Sequence, residues 1–263
     1  MSSDPADSRI DATVPHPARV WDYWLGGKDF YTPDRQVGDL ILAVTPDLAV
    51  IARAEREFLG RVVRLAAESG IRQFLDVGTG IPSTENTHEV AQRAAPEARI
   101  VYVDNDPVVL AHARALLRGT PEGATAYLDA DLRAPQAILE GAARTLDLGR
   151  PVCLMLLGIL EFVPNLAQAY SAVRTLREAL APGSLLAVAS SVRSPSMEAA
   201  AAVWNRRGGT PVTLRTSEEI AGFLSEMEPL SPGVVSLPQW RPEAATRYTD
   251  RDLYQYGGAA WKA

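Results

Sequence analysis

The chain has 263 residues, of which 47% are hydrophobic and 22% charged, a balance that excludes a disordered or fibrous chain and fits one α/β domain with an added helical cap. A formal net charge of -6 argues against a nucleic-acid partner, because capture of phosphates needs clustered lysine and arginine. The single cysteine, Cys153, cannot form an internal disulfide, and His16, His88 and His112 show no metal-ligand spacing, so no metal site is expected.

Residues 1–14 are polar and are expected to be disordered, without the apolar stretch of a signal peptide. No run approaches bilayer length, so a cytoplasmic protein with no membrane partner is the default expectation. Nothing in the sequence speaks to oligomeric state. Residues 15–70 read as a helical cap. Val20, Trp21, Trp24 and Leu25 recur at helical spacing before the stop Gly26-Gly27. Val37, Leu40, Ile41 and Val44 mark a second helix closed by Pro46, and Ile51, Ala54, Phe58, Val62 and Leu65 a longer third one ending at Gly70.

From residue 71 onward the pattern becomes βαβ. Strands are expected near 73–77, 99–103, 124–129, 151–157 and 184–191, with helices near 84–95, 107–118, 135–142 and 166–180. Continuous apolar runs such as Leu154-Met155-Leu156-Leu157 suit strands covered on both faces. Residues 195–226 break the alternation with an Ala-rich helix carrying Trp204 and a second helix near 216–226, a helical insertion placed to face a substrate. Two more strand candidates lie near 233–239 and 252–262. The expected fold is therefore α/β: a Rossmann-like, doubly wound, mostly parallel seven-stranded sheet under an N-terminal helical cap.

Three strand ends carry the chemistry. Phe74-Leu75-Asp76-Val77-Gly78-Thr79-Gly80-Ile81-Pro82 is a strand running into a glycine turn, where the backbone can approach a ligand closely, although a tight turn alone would need the same glycines. One strand later, Val103-Asp104-Asn105-Asp106-Pro107 places an acid where adenosine ribose hydroxyls are bound in such folds. Asp104 takes that role, while Asp106 before Pro107 reads as a helix cap. The third strand ends Asp129-Ala130-Asp131-Leu132, which offers Asp131 to an exocyclic amine and Leu132 to an adenine face, or Asp131 simply as a turn cap.

These residues resemble the class I S-adenosylmethionine-dependent methyltransferases, and among them the actinobacterial S-adenosyl methyltransferases of the methyltransferase-19 type, formerly a domain of unknown function. The likeness covers most of the chain. It rests on Ala18 to Lys28 with Asp34-Arg35, on Asp76 to Pro82 with Asn86 and His88 to Gln92, on Val103 to Pro107, on Phe162-Val163-Pro164 and on Tyr256-Gly257-Gly258. The resemblance implies S-adenosylmethionine as cofactor, S-adenosylhomocysteine as product and a small-molecule methyl acceptor. It implies cofactor contacts at Asp76, Gly78, Thr79, Gly80, Asp104, Asn105, Asp131, Leu132 and Gly158, with Tyr23, Gly26 and Gly27 in a covering segment. The turn departs from the general pattern in having Ile81-Pro82 instead of a third glycine. Glu161 stands where relatives often carry histidine.

Methyl transfer from a sulfonium is a direct displacement, so few catalytic side chains are required. Where an acceptor must lose a proton, Glu161 is the candidate base, its alternative being a solvated carboxylate or a helix-start residue before Pro164. Trp21, Trp24 and Trp204 are candidate walls of a substrate pocket for an aromatic or natural-product acceptor, or else core. Two other functions share the strand, turn and acid. A non-catalytic S-adenosylmethionine or S-adenosylhomocysteine binder differs only in lacking turnover. An NAD(P)-dependent oxidoreductase of the short-chain type needs a Tyr-x-x-x-Lys pair, which Lys28 and Lys262, the only lysines, do not supply.

Overall fold

Three helices precede the sheet in a computed structural model that describes residues 10–116 and 119–263. The first, α1 (Pro17–Leu25), has proline in its first turn and stops at Gly26, whose φ of 86° is the left-handed cap that glycine adopts without strain. After α2 (Thr32–Val44) comes α3 (Leu48–Glu68), which buries Ile51, Phe58, Val62 and Val63 along one side. Of the segment 1–14 expected to be disordered, 1–9 lie outside the described residues. Ile10 packs on Ile81, Val108 and Val109, and Arg19 donates to the carbonyls of Asp11 and Val14, so residues 10–14 are held by the fold.

The remainder alternates: β1 (Gln73–Val77), α4 (Thr87–Ala94), β2 (Arg99–Asp104), α5 (Pro107–Leu116), β3 (Ala124–Asp129), α6 (Pro135–Ala142), β4 (Cys153–Leu157), α7 (Leu166–Glu178) and β5 (Leu185–Ser191). Residues 117–118 of the expected helix 107–118 lie outside the described residues. The helix expected from 84 begins at Thr87, because Asn86 and Glu89 form a reciprocal cap there. The helical insertion holds α8 (Pro195–Arg207) and the short α9 (Ser217–Gly222).

The sheet runs β3-β2-β1-β4-β5-β8 (Gln255–Trp261)-β6 (Glu228–Pro229), and among the described residues it has eight strands rather than the expected seven. The extra element is β6, and the candidate at 233–239 shortens to β7 (Val235–Ser236) before a 3-10 turn at Leu237–Gln239. Both are two-residue strands on β8, which itself runs antiparallel to β5, whereas β1 to β5 are mutually parallel.

Alternation along each strand divides the core between the two faces of the sheet. Phe74, Ile100, Tyr102, Cys153 and Met155 pack under α1 to α4 and α8, and Leu75, Val101, Val103, Leu154 and Leu156 pack under α6, α7 and α9. Cys153 is thus a small core residue, and burial pushes its thiol pKa up. The strand order reverses between β1 and β4. A crevice opens there at the carboxyl ends of the parallel strands, which is where open α/β sheets bind ligands.

Candidate active site

The turn after β1 is braced from two sides. The N–H groups of Gly78 and Thr79 donate to the Val103 carbonyl at 2.8 and 3.2 Å, and Gly80 N–H donates to Asp104 Oδ2 at 2.9 Å. Gly78 has φ 80°, and a Cβ there would stand 2.6 Å from Ile159 Cβ. Gly80 has φ 67° and faces open space. Asp76, buried at the end of β1, accepts from Thr87 Oγ1 at 2.6 Å and Thr79 Oγ1 at 3.4 Å, and burial raises its pKa.

Asp104 holds local backbone with both oxygens, since Oδ1 also accepts from Asp106 N at 2.9 Å. Asp106 accepts from Val108 N at 2.8 Å at the start of α5, and its Oδ2 lies 2.8 Å from His16 Nδ1, which ties α1 to the end of β2. At the third strand end, Asp131 accepts from the Arg133 N–H and from both arms of the Arg133 fork, with Asn105 Nδ2 at 3.2 Å. Its carboxylate closes a turn, and the Arg133 hydrogen bond holds its pKa low. Leu132 is buried beside it and faces the crevice.

Of these residues, Asp76, Gly78, Thr79, Gly80, Asp104, Asn105, Asp131 and Leu132 border one cleft of about 1310 Å³, its open mouth included, whereas Thr87 and Asp106 stand behind it. Gly158 and Glu161 border it too. Glu161 sits in the 3-10 turn Leu160–Phe162 with only 4% of its surface exposed, so the reading as a solvated carboxylate does not hold. Burial raises its pKa. Ser190 Oγ donates to its Oε2 at 3.0 Å. Ser191 Oγ lies 3.3 Å from its Oε1 and 2.8 Å from Gln255 Oε1. Ser191 has one hydrogen to give and Gln255 Oε1 can only accept, so the Glu161 contact is filled when Glu161 carries a proton.

The structure does not bring every expected residue to the cleft. Tyr23 turns away from it, its hydroxyl donating to Asp39 and its ring packing on Phe30. Gly26 closes α1 and borders neither cavity. Gly27 acts at one remove, because a Cβ there would lie 1.9 Å from Asp22 Oδ1, and Asp22 borders the cleft. The reason is helical geometry: Trp21, Asp22 and Leu25 share the inward side of α1, and Tyr23 projects from the other.

Trp21 and Trp24 pack edge to face with centroids 5.6 Å apart. With Trp204 they line a second, apolar cavity of about 530 Å³, its open mouth included, joined by Met197, Ala200 and Leu214. Trp24 and Trp204 are also nearly buried, so the core and pocket readings both describe them. Pro17, Trp21, Glu161 and Phe162 border both cavities.

Glu55 and Arg56 of α3 also border the cleft and escaped the sequence reading. The signal was present. Glu55 stands between Ile51 and Phe58 on the apolar side of α3, where a carboxylate is out of place unless it has a task. Gln255 Nε2 donates to Glu55 Oε2 at 2.6 Å. Burial, and next the charge of Glu161, raise the Glu55 pKa to about 8. His88 lies outside the cleft and shares a hydrogen bond with the Tyr102 hydroxyl in the core.

A cleft with five buried acids, Asp22, Glu55, Asp76, Asp104 and Glu161, suits a cationic ligand. The open side of Gly80 leaves room for it, and the buried, unpartnered Nε of Arg56 offers a donor to an anionic group that it carries. The comparisons with known proteins agree. The chain matches the profile of the S-adenosyl methyltransferase family over residues 3–263. The chain belongs to that family. It is 44% identical to a DUF574 family protein from Streptomyces avermitilis, with a TM-score of 0.92 over 97% of this chain and 100% of that one. A Thermobifida fusca protein described as a methyltransferase is 38% identical, with a TM-score of 0.87 over 99% of each chain. Magnesium protoporphyrin IX methyltransferase from Synechocystis, solved with S-adenosylhomocysteine bound, shares the fold at 13% identity and a TM-score of 0.55, over 93% of each chain. No curated protein matches the chain at a significant level.

This methyltransferase therefore takes S-adenosylmethionine as cofactor and releases S-adenosylhomocysteine. The bound cofactor supplies an electrophilic methyl group on a sulfonium. Among the described residues, no helix is long and apolar enough to cross a membrane.

Proposed function

We propose that the methyl acceptor is an apolar, ring-bearing small molecule seated in the cavity lined by Trp21, Trp24 and Trp204, with the cofactor in the adjoining cleft. The observation that carries this reading is the shared wall: Pro17, Trp21, Glu161 and Phe162 border both cavities. A methyl group crossing from one ligand to the other passes at that wall, and Glu161 is its ionisable member.

In this reading Glu161 takes the acceptor's proton at Oε1, and Ser190 holds the other oxygen in place. The flat walls Trp21 and Phe162 orient the ring and exclude water, which is the main contribution a protein makes to a displacement. A net charge of -6 and an apolar second cavity favour a small acceptor over a nucleic acid.

The experiment is a panel of phenols, indoles and polyketide-like aromatics, scored by thermal shift in the presence of S-adenosylhomocysteine and by transfer of labelled methyl groups. Ring compounds are expected to stabilise the protein and accept methyl, and Ala201→Phe, which fills the second cavity, is expected to abolish both while S-adenosylhomocysteine still binds. Acceptance of methyl only by polar acceptors, or indifference to Ala201→Phe, overturns the reading.

A further inference from the structure

The cofactor that this fold takes carries an amino acid at one end, with a cationic ammonium and an anionic carboxylate close together. A neighbouring acid and base match that end in charge. We propose that the consecutive residues Glu55 and Arg56 of α3 form this clamp, Glu55 taking the ammonium group and Arg56 the carboxylate. The inference rests on the cleft being the cofactor site.

Both side chains have unspent capacity. The buried Glu55 carboxylate receives one donor, Gln255 Nε2 on Oε2, and among the described residues no hydrogen bond reaches Oε1. An ionised carboxylate buried with one neutral donor is costly, and a cation removes that cost. Arg56 spends Nη2 on the carbonyls of Thr84 and Glu85 at 3.4 and 2.9 Å, which fixes the guanidinium, yet its Nε is buried with no partner.

The other cations of the cleft pair with carboxylates. Arg133 is forked on Asp131 through Nε and Nη2, and His16 is paired with Asp106, which leaves Arg56 as the cation with a buried, unpartnered donor among the described residues lining the cleft. Gly158 completes the arrangement. Its φ is 64°, and a Cβ there would stand 3.0 Å from Glu55 Oε1, so a glycine leaves the carboxylate room at the cleft floor.

The buried Glu55 carboxyl keeps its proton. Burial and the neighbouring Glu161 raise the Glu55 pKa to about 8, Asp76 adds to the rise, and Gln255 and Arg56 oppose it. Near neutral pH Glu55 is therefore largely protonated, and an arriving ammonium group displaces that proton.

Calorimetry on the full chain with two ligands tests the clamp. S-adenosylhomocysteine has the amino-acid end, and 5′-methylthioadenosine has the same adenosine and sulfur without it. Wild type is expected to bind the former far more tightly and, in buffers of different ionisation enthalpy at pH 7, to release a proton with it alone. Glu55→Gln and Arg56→Gln are expected to weaken S-adenosylhomocysteine about tenfold or more and 5′-methylthioadenosine less than about twofold. Equal losses for both ligands, or no loss, overturn the clamp in favour of a structural role. Should a variant fail to fold, wild type decides: equal affinity for the two ligands with no difference in proton release overturns the clamp and leaves the cofactor site standing. Failure of wild type to bind either ligand overturns the cofactor site itself, and the clamp with it.

Discussion

Gly80 N–H and the Asp104 carboxylate meet at 2.9 Å, so the end of β2 holds the turn that follows β1. The same carboxylate accepts from Asp106 N on its other oxygen, and one side chain thereby sets the geometry of two loops at the mouth of the cleft.

Asp104→Asn keeps the shape but offers one acceptor oxygen where the loops need two, so an NH2 group faces an N–H. The expected cost is about 1–3 kcal/mol of stability, with S-adenosylhomocysteine weakened about tenfold or more. Denaturant unfolding and calorimetry measure the two, and an unchanged affinity shows that neither the turn nor Asp104 governs binding.

The two turn glycines are expected to fail differently. Gly78→Ala puts a Cβ 2.6 Å from Ile159 at a positive φ and should cost about 3 kcal/mol. Gly80→Ala meets nothing within 4 Å and should cost only about 1–2 kcal/mol of backbone strain, while still impairing cofactor binding because its Cβ enters the ligand's space. Equal melting temperatures for the two variants would contradict this.

Glu161 is useful as a base only when ionised, and burial raises its pKa. Methyl transfer to an acceptor that must lose a proton is therefore expected to rise with pH through a value above the ordinary carboxylate range. Glu161→Gln should lower kcat by about 100-fold or more and flatten that limb. A variant that keeps the wild-type pH profile places the base elsewhere.

Stability of the ligand-free protein should carry the mark of Glu55. Its pKa is raised on folding, from about 4.5 to about 8, so the native state binds the proton more tightly than the unfolded chain. Stability is unaffected by this group at acid pH, falls as pH rises between those two values, and levels off above about 8. Glu55→Gln removes the penalty. Its stability relative to wild type should grow from pH 5 to pH 9, by denaturant unfolding at each pH, and a difference independent of pH would show that Glu55 is not strained by burial.

The order of elements and the three strand-end motifs were legible in the sequence because their causes are local. Apolar runs of strand length, a glycine turn, and Asp106 before Pro107 each act within a few residues. The strand near 233–239 was misjudged for the opposite reason. Val235 and Ser236 pair only because β8 lies beside them, and Leu237-Pro238-Gln239 turns instead of extending.

By itself, then, the sequence determined a parallel α/β sheet with a ligand turn after its first strand, a reading that hydrophobic period and turn chemistry suffice to support. Only the tertiary structure decided which side chains reach that turn. It sent Tyr23 outward to Asp39, set Asp104 to bracing backbone, and brought Glu55, Arg56 and Glu161 from distant segments to one cleft. Those outcomes depend on how helix faces pack against the sheet and on which buried charges lose their water, and neither is written in the spacing of neighbouring residues.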